Sequence, residues 1–452
     1  MVLAPAQMIG VSGRRWHLRG RFPDGELDGA HKEPLIRHLL WHRGLRSASD
    51  AAAFLEARDP GFDAMLLPDI DIAIERMRRA IANGELIAVY GDFDVDGVTA
   101  SAILIEALSE LGARVISYLP DRFGEGYGVN PGAIESLAAQ GVTLIITADC
   151  GTSNVDEVAL ANKLGADVIV LDHHTVPPEL PAAIALVNPK RIGARYPEPE
   201  LASGGLAYKL MSALYSDCGR PFDGDRYLDL VALSTVCDMA PLRGENRWLV
   251  REGMRSLGKA QRPGVRALLE TAGCDPTRVD ASTIGYTIGP RLNAAGRLAH
   301  ARLSLNLLLE RDETKARAQA IELGALNTQR QQATTDAMNL ARKLLQDEPA
   351  APLIFIGDEA IPSGIVGLVA GRLTEQYNRP SVVYERGPET SRASCRSIDE
   401  FDITGALRAT PGLFERFGGH RAAAGFTARN ENLAAIQDSL VSQARDELSG
   451  VD

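Results

Sequence analysis

The sequence predicts an α/β protein with a mainly parallel sheet in an N-terminal domain, a long connector helix, and a smaller C-terminal α/β domain. Three observations carry this. Short apolar, β-branched runs alternate with helical patterns from about residue 86 onward, as in a parallel sheet covered on both faces. Residues 311–346 form a charged helical pattern with no Gly or Pro after Gly324. A second strand–helix–strand pattern begins after Pro349.

Taken in order, residues 1–60 read as a helical or mixed lead-in, with PLIRHLLWHRG its clearest helix. His38 and His42 stand four apart there, a metal-ligand spacing, but no third ligand lies nearby in sequence, so they are expected to pack on a helix surface. The strand-like runs are LIAVY (86–90), RVISYL (114–119), VTLIIT (142–147) and DVIVL (167–171). Between them VTASAILIEALSEL places Ala102, Ile105 and Leu108 on one helical face, with Gly112 as a stop, and GAIESLAAQG reads as another helix. In the connector, Ala337, Leu340, Ala341 and Leu344 make one apolar face. PLIFIG, the helix GIVGLVAGRL and PSVVYE then open the last domain. The expected divisions are 1–60, 61–310, 311–348 and 349–452, within the two to four domains that 452 residues allow.

The net charge of −11 argues against a nucleic-acid binder, which is usually basic, unless cations offset an acidic metal site and the basic side chains gather in one cleft. Five cysteines without a CxxC pair disfavour a disulfide framework or zinc ribbon and fit a reducing, cytoplasmic setting. The first residues do not read as a signal peptide, because the arginines follow a short apolar stretch. No run of about 18 apolar residues suggests a membrane span.

The chemistry is concentrated at strand ends. LIAVY runs into Gly91-Asp92-Phe93-Asp94-Val95-Asp96-Gly97. In extended backbone, alternate residues share a side, so Asp92, Asp94 and Asp96 are expected to face one pocket, where their repulsion calls for cations. A calcium loop of the EF-hand type would need Glu where Ile103 stands, and a helix where a strand precedes. VTLIIT ends at Asp149, and DVIVL at Asp172-His173-His174. In open α/β sheets this carboxyl edge is where ligands bind. Asp238 interrupts the apolar stretch LDLVALSTVC, where a lone buried carboxylate would be costly. Carboxylates with imidazole and without thiolate favour Mn2+ or Mg2+, and the number of acids favours two ions hydrolysing a phosphate ester.

Together these residues resemble the DHH phosphoesterases, so called after the motif at 172–174. GDFDVDGVTA, DRFGEGYGVNP, ITADCGT, LDHH, SGGLAYKL, STVCDMAPL, GPRLNAAGRL and FGGHRAAAGF stand in the order of the RecJ single-strand-specific exonucleases. The resemblance implies that Asp94, Asp96, Asp149, His173 and Asp238 ligate metal, with Asp149 bridging and Asp92 binding directly or through water. It implies supporting or phosphate-contact roles for Asp172 and His174. Arg291, Asn293 and Arg297 would grip the DNA backbone; Arg122 would hold phosphate and Tyr127 would stack on a base or serve only as a turn residue. Arg392, Arg396 and Ser397 are further contacts of that kind. Gly418, Gly419 and His420, read as following a helix end, would face a phosphate or cap that helix. Single-stranded DNA is the implied substrate, cut 5′ to 3′, with a single-strand-binding protein or a helicase as partner.

Departures from the pattern qualify this. Ile361-Pro362 stands where RecJ-like chains commonly carry Trp-His. The family's usual C-terminal OB-fold is not expected in this sequence, which predicts weaker or less processive binding. Rival readings are a phosphodiesterase for short oligonucleotides or cyclic dinucleotides, and a non-catalytic replication scaffold, which the intact ligand set disfavours. A manganese pyrophosphatase would carry His in place of Asp92.

Overall fold

The computed structural model describes residues 7–9, 15–17, 20, 23, 25, 27–345 and 351–449. The boundary expected at 348/349, both chain ends and most of the stretch weighed as a leader lie outside these residues. Two short strands, β1 (Gln7–Ile9) and β2 (Arg15–His17), pair antiparallel. The expected lead-in helix follows at Pro34–His42. The rings of His38 and His42 meet edge to face at 4.4 Å, and His42 Nε2 lies 2.9 Å from the Gly20 carbonyl.

The first sheet comprises β3 (Leu86–Gly91), β4 (Arg114–Tyr118), β5 (Val142–Ala148), β6 (Asp167–Leu171) and β7 (Ala185–Val187), in the order β4-β3-β5-β6-β7 and parallel throughout. Strand periodicity explains its two covers. Ile87, Val89, Leu144, Ile146, Ile169 and Leu171 join the core beneath helices Val95–Glu110, Ser203–Asp217 and Leu228–Cys237. The alternate residues Ala88, Tyr90, Ile145, Val168 and Val170 pack under Pro131–Ala139 and Val155–Lys163. With both faces covered, the strands read as continuous apolar runs.

The connector is a single helix, Glu313–Leu345. Ala316, Ala320 and Leu323 near its start belong to the first core, whereas Ala337, Met338 and Ala341 pack with Ile354, Val366 and Val369. Leu344, expected on the apolar face, is largely exposed. The second sheet is mixed: β8 (Ile354–Asp358) runs parallel to β9 (Ser381–Arg386), and β10 (Thr390–Arg396), β12 (Ala423–Arg429) and β11 (Arg416–His420) continue antiparallel in the order β11-β12-β10-β9-β8. The FGGH segment is therefore an exposed edge strand rather than a helix end. Gly419 has φ +147°, and a Cβ there would lie 2.4 Å from Ala424 Cα. The cross-strand neighbour in this tight hairpin, and not a helix cap, accounts for that glycine. Among the described residues no helix is long and apolar enough to cross a membrane.

Candidate metal centre

The carboxyl ends of β3, β5 and β6 bring the acidic residues together. Asp92 follows β3 directly, and its N–H donates to the Ala148 carbonyl at 3.0 Å. The chain then turns into helix Val95–Glu110 instead of staying extended. Asp94 is its N-cap, accepting the N–H groups of Asp96 and Gly97 at 2.8 and 3.1 Å, and Asp96 lies in the first turn. The expectation of three aspartates on one extended face is thus corrected, because capping the helix rotates the triplet. Asp92 and Asp94 group with Asp149, and Asp96 groups with His173 and Asp238; in each group the ligand atoms lie within 4.8 Å of one another. Asp149 also groups with His173 and His174. It stands at φ +70°, a left-handed conformation that non-glycine residues adopt mainly where surroundings impose it.

Asp96 is held from three sides. The N–H groups of Ser203 and Gly204 donate to its two carboxylate oxygens at 2.8 and 3.0 Å, and the Ser234 hydroxyl also donates to it. The two N–H groups come from the N-terminus of helix Ser203–Asp217, where partial positive charge favours an anion, and Ser234 from helix Leu228–Cys237. The Ser203 hydroxyl donates to Asp149 at 3.0 Å. Sequence reasoning missed Ser203, Gly204 and Ser234 as site residues. The signal was in SGGLAYKL: a Cβ on Gly204 would lie 2.5 Å from Ser234, so only glycine lets the two helices meet over the aspartate.

Burial, then the charge of Asp94, pushes Asp92 up to about 8, and burial, then Asp96 and Asp94, pushes Asp238 up to about 8. Burial followed by the surrounding aspartates raises Asp149 well above the carboxylate range. Burial lowers His173 and keeps its imidazole neutral, the form that ligates metal. Its Nε2 lies 3.2 Å from Asp149, 3.5 Å from Asp96 and 3.8 Å from Asp238. That atom and Asp92 Oδ1 are buried without a hydrogen-bond partner. Buried polar atoms are seldom left so, and a divalent cation among them would satisfy both.

Asp172 points away from the acidic cluster. It accepts the N–H groups of His173 and His174 at 2.8 and 3.2 Å and that of Thr152 at 3.0 Å, and lies 2.7 Å from His174 Nδ1. Burial opposes its charge, but the bonds from His174 and Thr152 prevail and hold it below the usual range. Burial likewise opposes the His174 imidazolium, and Asp172 overrides it, raising His174 to about 9.

The model of the DHH family, N-terminal domain, matches residues 86–235, and that of the DHHA1 domain matches 350–446. The Escherichia coli single-stranded-DNA-specific exonuclease RecJ is 37% identical over 450 residues, covering 93% of this chain and 76% of that protein. The chain belongs to the RecJ family. The RecJ of Bacillus subtilis is 36% identical, covering 95% of this chain. A crystal structure of Thermus thermophilus RecJ with Mn2+ superposes with a TM-score of 0.80 at 32% identity, covering 91% of this chain. This chain spans 55% of the Bacillus protein's length and 59% of the Thermus chain.

Around this RecJ-type centre lie four buried or half-buried arginines. Arg122 rests its guanidinium 4.0 Å over the Phe93 ring. Burial lowers it despite Asp92 and Asp94. Burial, then the charges of Arg122, Arg330 and Arg396, lowers Arg297 to about 9. Burial lowers Arg330 and Arg396 as well. None of the four forms a salt bridge with a carboxylate among the described residues. Arg330, on the connector, was not among the sequence-derived contacts, because one arginine on a charged helix carries no signal of its own.

The other expected contacts divide. Tyr127 Oη lies 3.3 Å from the Asp149 carbonyl and from His174 Nε2, and the His420 ring stacks on His174 at 6.4 Å. Arg291 instead donates to the Thr287 carbonyl at 2.7 Å, and Arg392 donates to the Phe123 carbonyl across to the first domain. The Ser397 hydroxyl donates to the Phe401 carbonyl at 2.7 Å. Strand alternation puts Ser394, not Ser397, on the Arg392–Arg396 face, and Arg396 donates to its hydroxyl at 3.1 Å. Gly418 and Gly419 lie on edge strand β11 beside His420, and Asn293 lines a cavity with Arg297 and Arg330.

Proposed function

We propose that the protein is a two-metal phosphodiesterase that degrades single-stranded DNA from the 5′ end, as a RecJ-type exonuclease. The observation that carries this reading is the orphaned pair, His173 Nε2 and Asp92 Oδ1, set among carboxylates at the ends of three parallel strands. Asp92, Asp94 and Asp149 would hold one Mn2+ or Mg2+, and Asp96, His173 and Asp238 the other, with Asp149 between them. Bound there, such ions lower the pKa of a coordinated water and neutralise charge on phosphoryl oxygens.

The protein's own groups do the rest. Helix Ser203–Asp217 and Ser234 fix Asp96. Asp172 fixes the tautomer and charge of His174, which with Tyr127 and His420 faces the substrate phosphate. Arg122, Arg297 and Arg396, without carboxylate partners among the described residues, attract the strand's terminal phosphate through planar guanidinium forks. In this reading residues 61–310 carry catalysis, 311–348 connect, 349–452 bind substrate and 1–60 form a lead-in. The setting is cytoplasmic, and a single-strand-binding protein or a helicase supplies the strand.

The test is digestion of end-labelled single strands of about 30 nucleotides with Mn2+, beside a duplex and a dinucleotide. Stepwise loss from the 5′ end of the single strand supports the proposal. Cleavage of the dinucleotide alone would retain the centre but replace the substrate, and no cleavage of any would refute both.

A further inference from the structure

The acidic centre sits at the carboxyl ends of β3, β5 and β6, and the end of β7 lies beside them. Leu171 of β6 pairs with Val187 of β7, and the Asp172 N–H donates to the Val187 carbonyl at 3.2 Å. The chain leaves β7 as Asn188-Pro189-Lys190. Asn188 is fully buried. Its amide donates to the His174 carbonyl at 3.0 Å and to the Thr152 hydroxyl at 3.1 Å, and its side-chain oxygen accepts the Lys190 N–H at 2.9 Å. Arg191 anchors the next position, donating to the Leu186 carbonyl at 2.8 Å and pairing with Asp69. The Lys190 backbone is therefore tied to the segment that carries His173 and His174.

The Lys190 side chain is held more loosely. Among the described residues its ammonium has one carboxylate partner, Glu200 at 3.0 Å, and the two side chains are 27% and 46% exposed. An ion pair this open to solvent contributes little, so an ammonium with three donors on a flexible stem exchanges such a partner at small cost. Glu200 is placed from the other side of the centre. Its carbonyl accepts from the Asn246 amide at 2.6 Å, and it stands three residues before Ser203, whose N–H holds Asp96. The pair thus runs along the rim of the centre, from the end of β7 to the entry of helix Ser203–Asp217. Burial dominates at His173, His420 and Asp238, but the Lys190 charge acts on all three, adding to the lowering of the two imidazoles and opposing the rise of the carboxyl. Lys190 therefore faces the opening that His420 and His174 line. Once cations occupy the carboxylates, the anion that enters this opening is the phosphate of the substrate.

We propose that Lys190 is a further substrate contact of the hydrolytic centre, its ammonium leaving Glu200 for a non-bridging oxygen of the phosphodiester under attack. The proposal rests on the reading of the centre as a two-metal phosphodiesterase. No proton moves in this exchange: the lysine stays charged and offsets the negative charge that develops on the phosphoryl oxygens.

The experiment compares the full chain with its Lys190→Ala and Glu200→Gln variants. Hydrolysis of a single-stranded oligonucleotide and of a dinucleotide is followed at saturating Mn2+, and melting temperatures are taken in chelator and with Mn2+. Lys190→Ala should lower kcat by about a hundredfold, the scale of losing one donor to a developing oxyanion, with KM little changed and the rise in melting temperature on adding Mn2+ intact. Glu200→Gln breaks the same ion pair but leaves the ammonium in place, so its kcat should equal the parent's. A pair that serves packing alone would lower both melting temperatures alike and leave both kcat values unchanged. That result, or an equal loss of kcat in the two variants, overturns the proposal. A Lys190→Ala defect confined to KM overturns it as well, since the lysine would then hold substrate without acting on the phosphodiester being cut. In each of these cases the parent still hydrolyses substrate and the phosphodiesterase reading stands. A parent that hydrolyses neither substrate would overturn that reading and this proposal with it.

Discussion

Asp149 concentrates the strain and charge of the site: it is buried, left-handed in backbone, and shared between two ligand groups. Asn tolerates a left-handed conformation and removes the charge. Asp149→Asn should therefore keep the fold, abolish the rise in melting temperature on adding Mn2+, and lower activity about a hundredfold or more. A variant that Mn2+ still stabilises would remove Asp149 from the ligand set. The same crowding sets a pH dependence. Asp92 and Asp238 rise from 3.8 to about 8, and His174 rises from 6.5 to about 9. Groups whose folded pKa is raised stabilise the fold while protonated, and that stability is lost as pH climbs through the folded value. Metal-free protein should thus melt at progressively lower temperature from about pH 6.5 to pH 9, while Mn2+, which displaces those protons, stabilises it more at higher pH. A flat or rising melting temperature in chelator across this window would contradict the assignment.

At the scale of elements, the helix pair over Asp96 is the tightest joint. Gly204→Ala would force Ser203–Asp217 away from Leu228–Cys237, since the new Cβ would lie 2.5 Å from Ser234. Overpacking of this kind costs about 1–3 kcal/mol, readable as a lower denaturant midpoint accompanied by weaker Mn2+ binding. A second joint is ionic. Arg262 is buried and bridges Glu106 at 2.7 Å and Asp229 at 3.1 Å, tying helix Val95–Glu110 to Leu228–Cys237. Removing the cation leaves buried Asp229 without its cation and Glu106 with Arg311 as its remaining one, at 2.7 Å. Arg262→Met should cost about 3–5 kcal/mol in chemical denaturation, without a specific loss of metal affinity. A cost under 1 kcal/mol would show that the carboxylates find other partners or protonate cheaply.

Across the whole molecule, a net charge of −11 opposes polyanion binding, yet Arg122, Arg297, Arg330 and Arg396 gather where the connector and the two sheets meet. In the proposed reading the distribution of charge, not its sum, decides binding. If all four neutralise phosphates, the logarithm of the affinity for single-stranded DNA should fall with log salt with a slope of about −3, and Arg396→Ala should flatten it by about 0.7. A slope near zero would mean that the arginines serve packing alone. Arg392 and Arg297 also donate to carbonyls across the cleft, at Phe123 and Gly364, so the face proposed to bind the strand also joins the two domains.

The sequence by itself determined the parallel sheet, the long connector and the acids at three strand ends, because strand and helix periodicities are local and Asp or His after an apolar run is read directly. It misjudged what depends on partners distant in the chain. The helix capped by Asp94 turned Asp96 out of the extended register, and pairing with β12 made FGGH a strand. Alternation in β10 sets Ser394 on the face of Arg392 and Arg396, while the Ser397 hydroxyl bonds to the Phe401 carbonyl. Only the tertiary structure set Ser203, Gly204 and Ser234 around Asp96 and drew Arg330 toward the cleft, because a hydrogen bond across 107 residues or a buried cation among cations is a property of packing that no local pattern records.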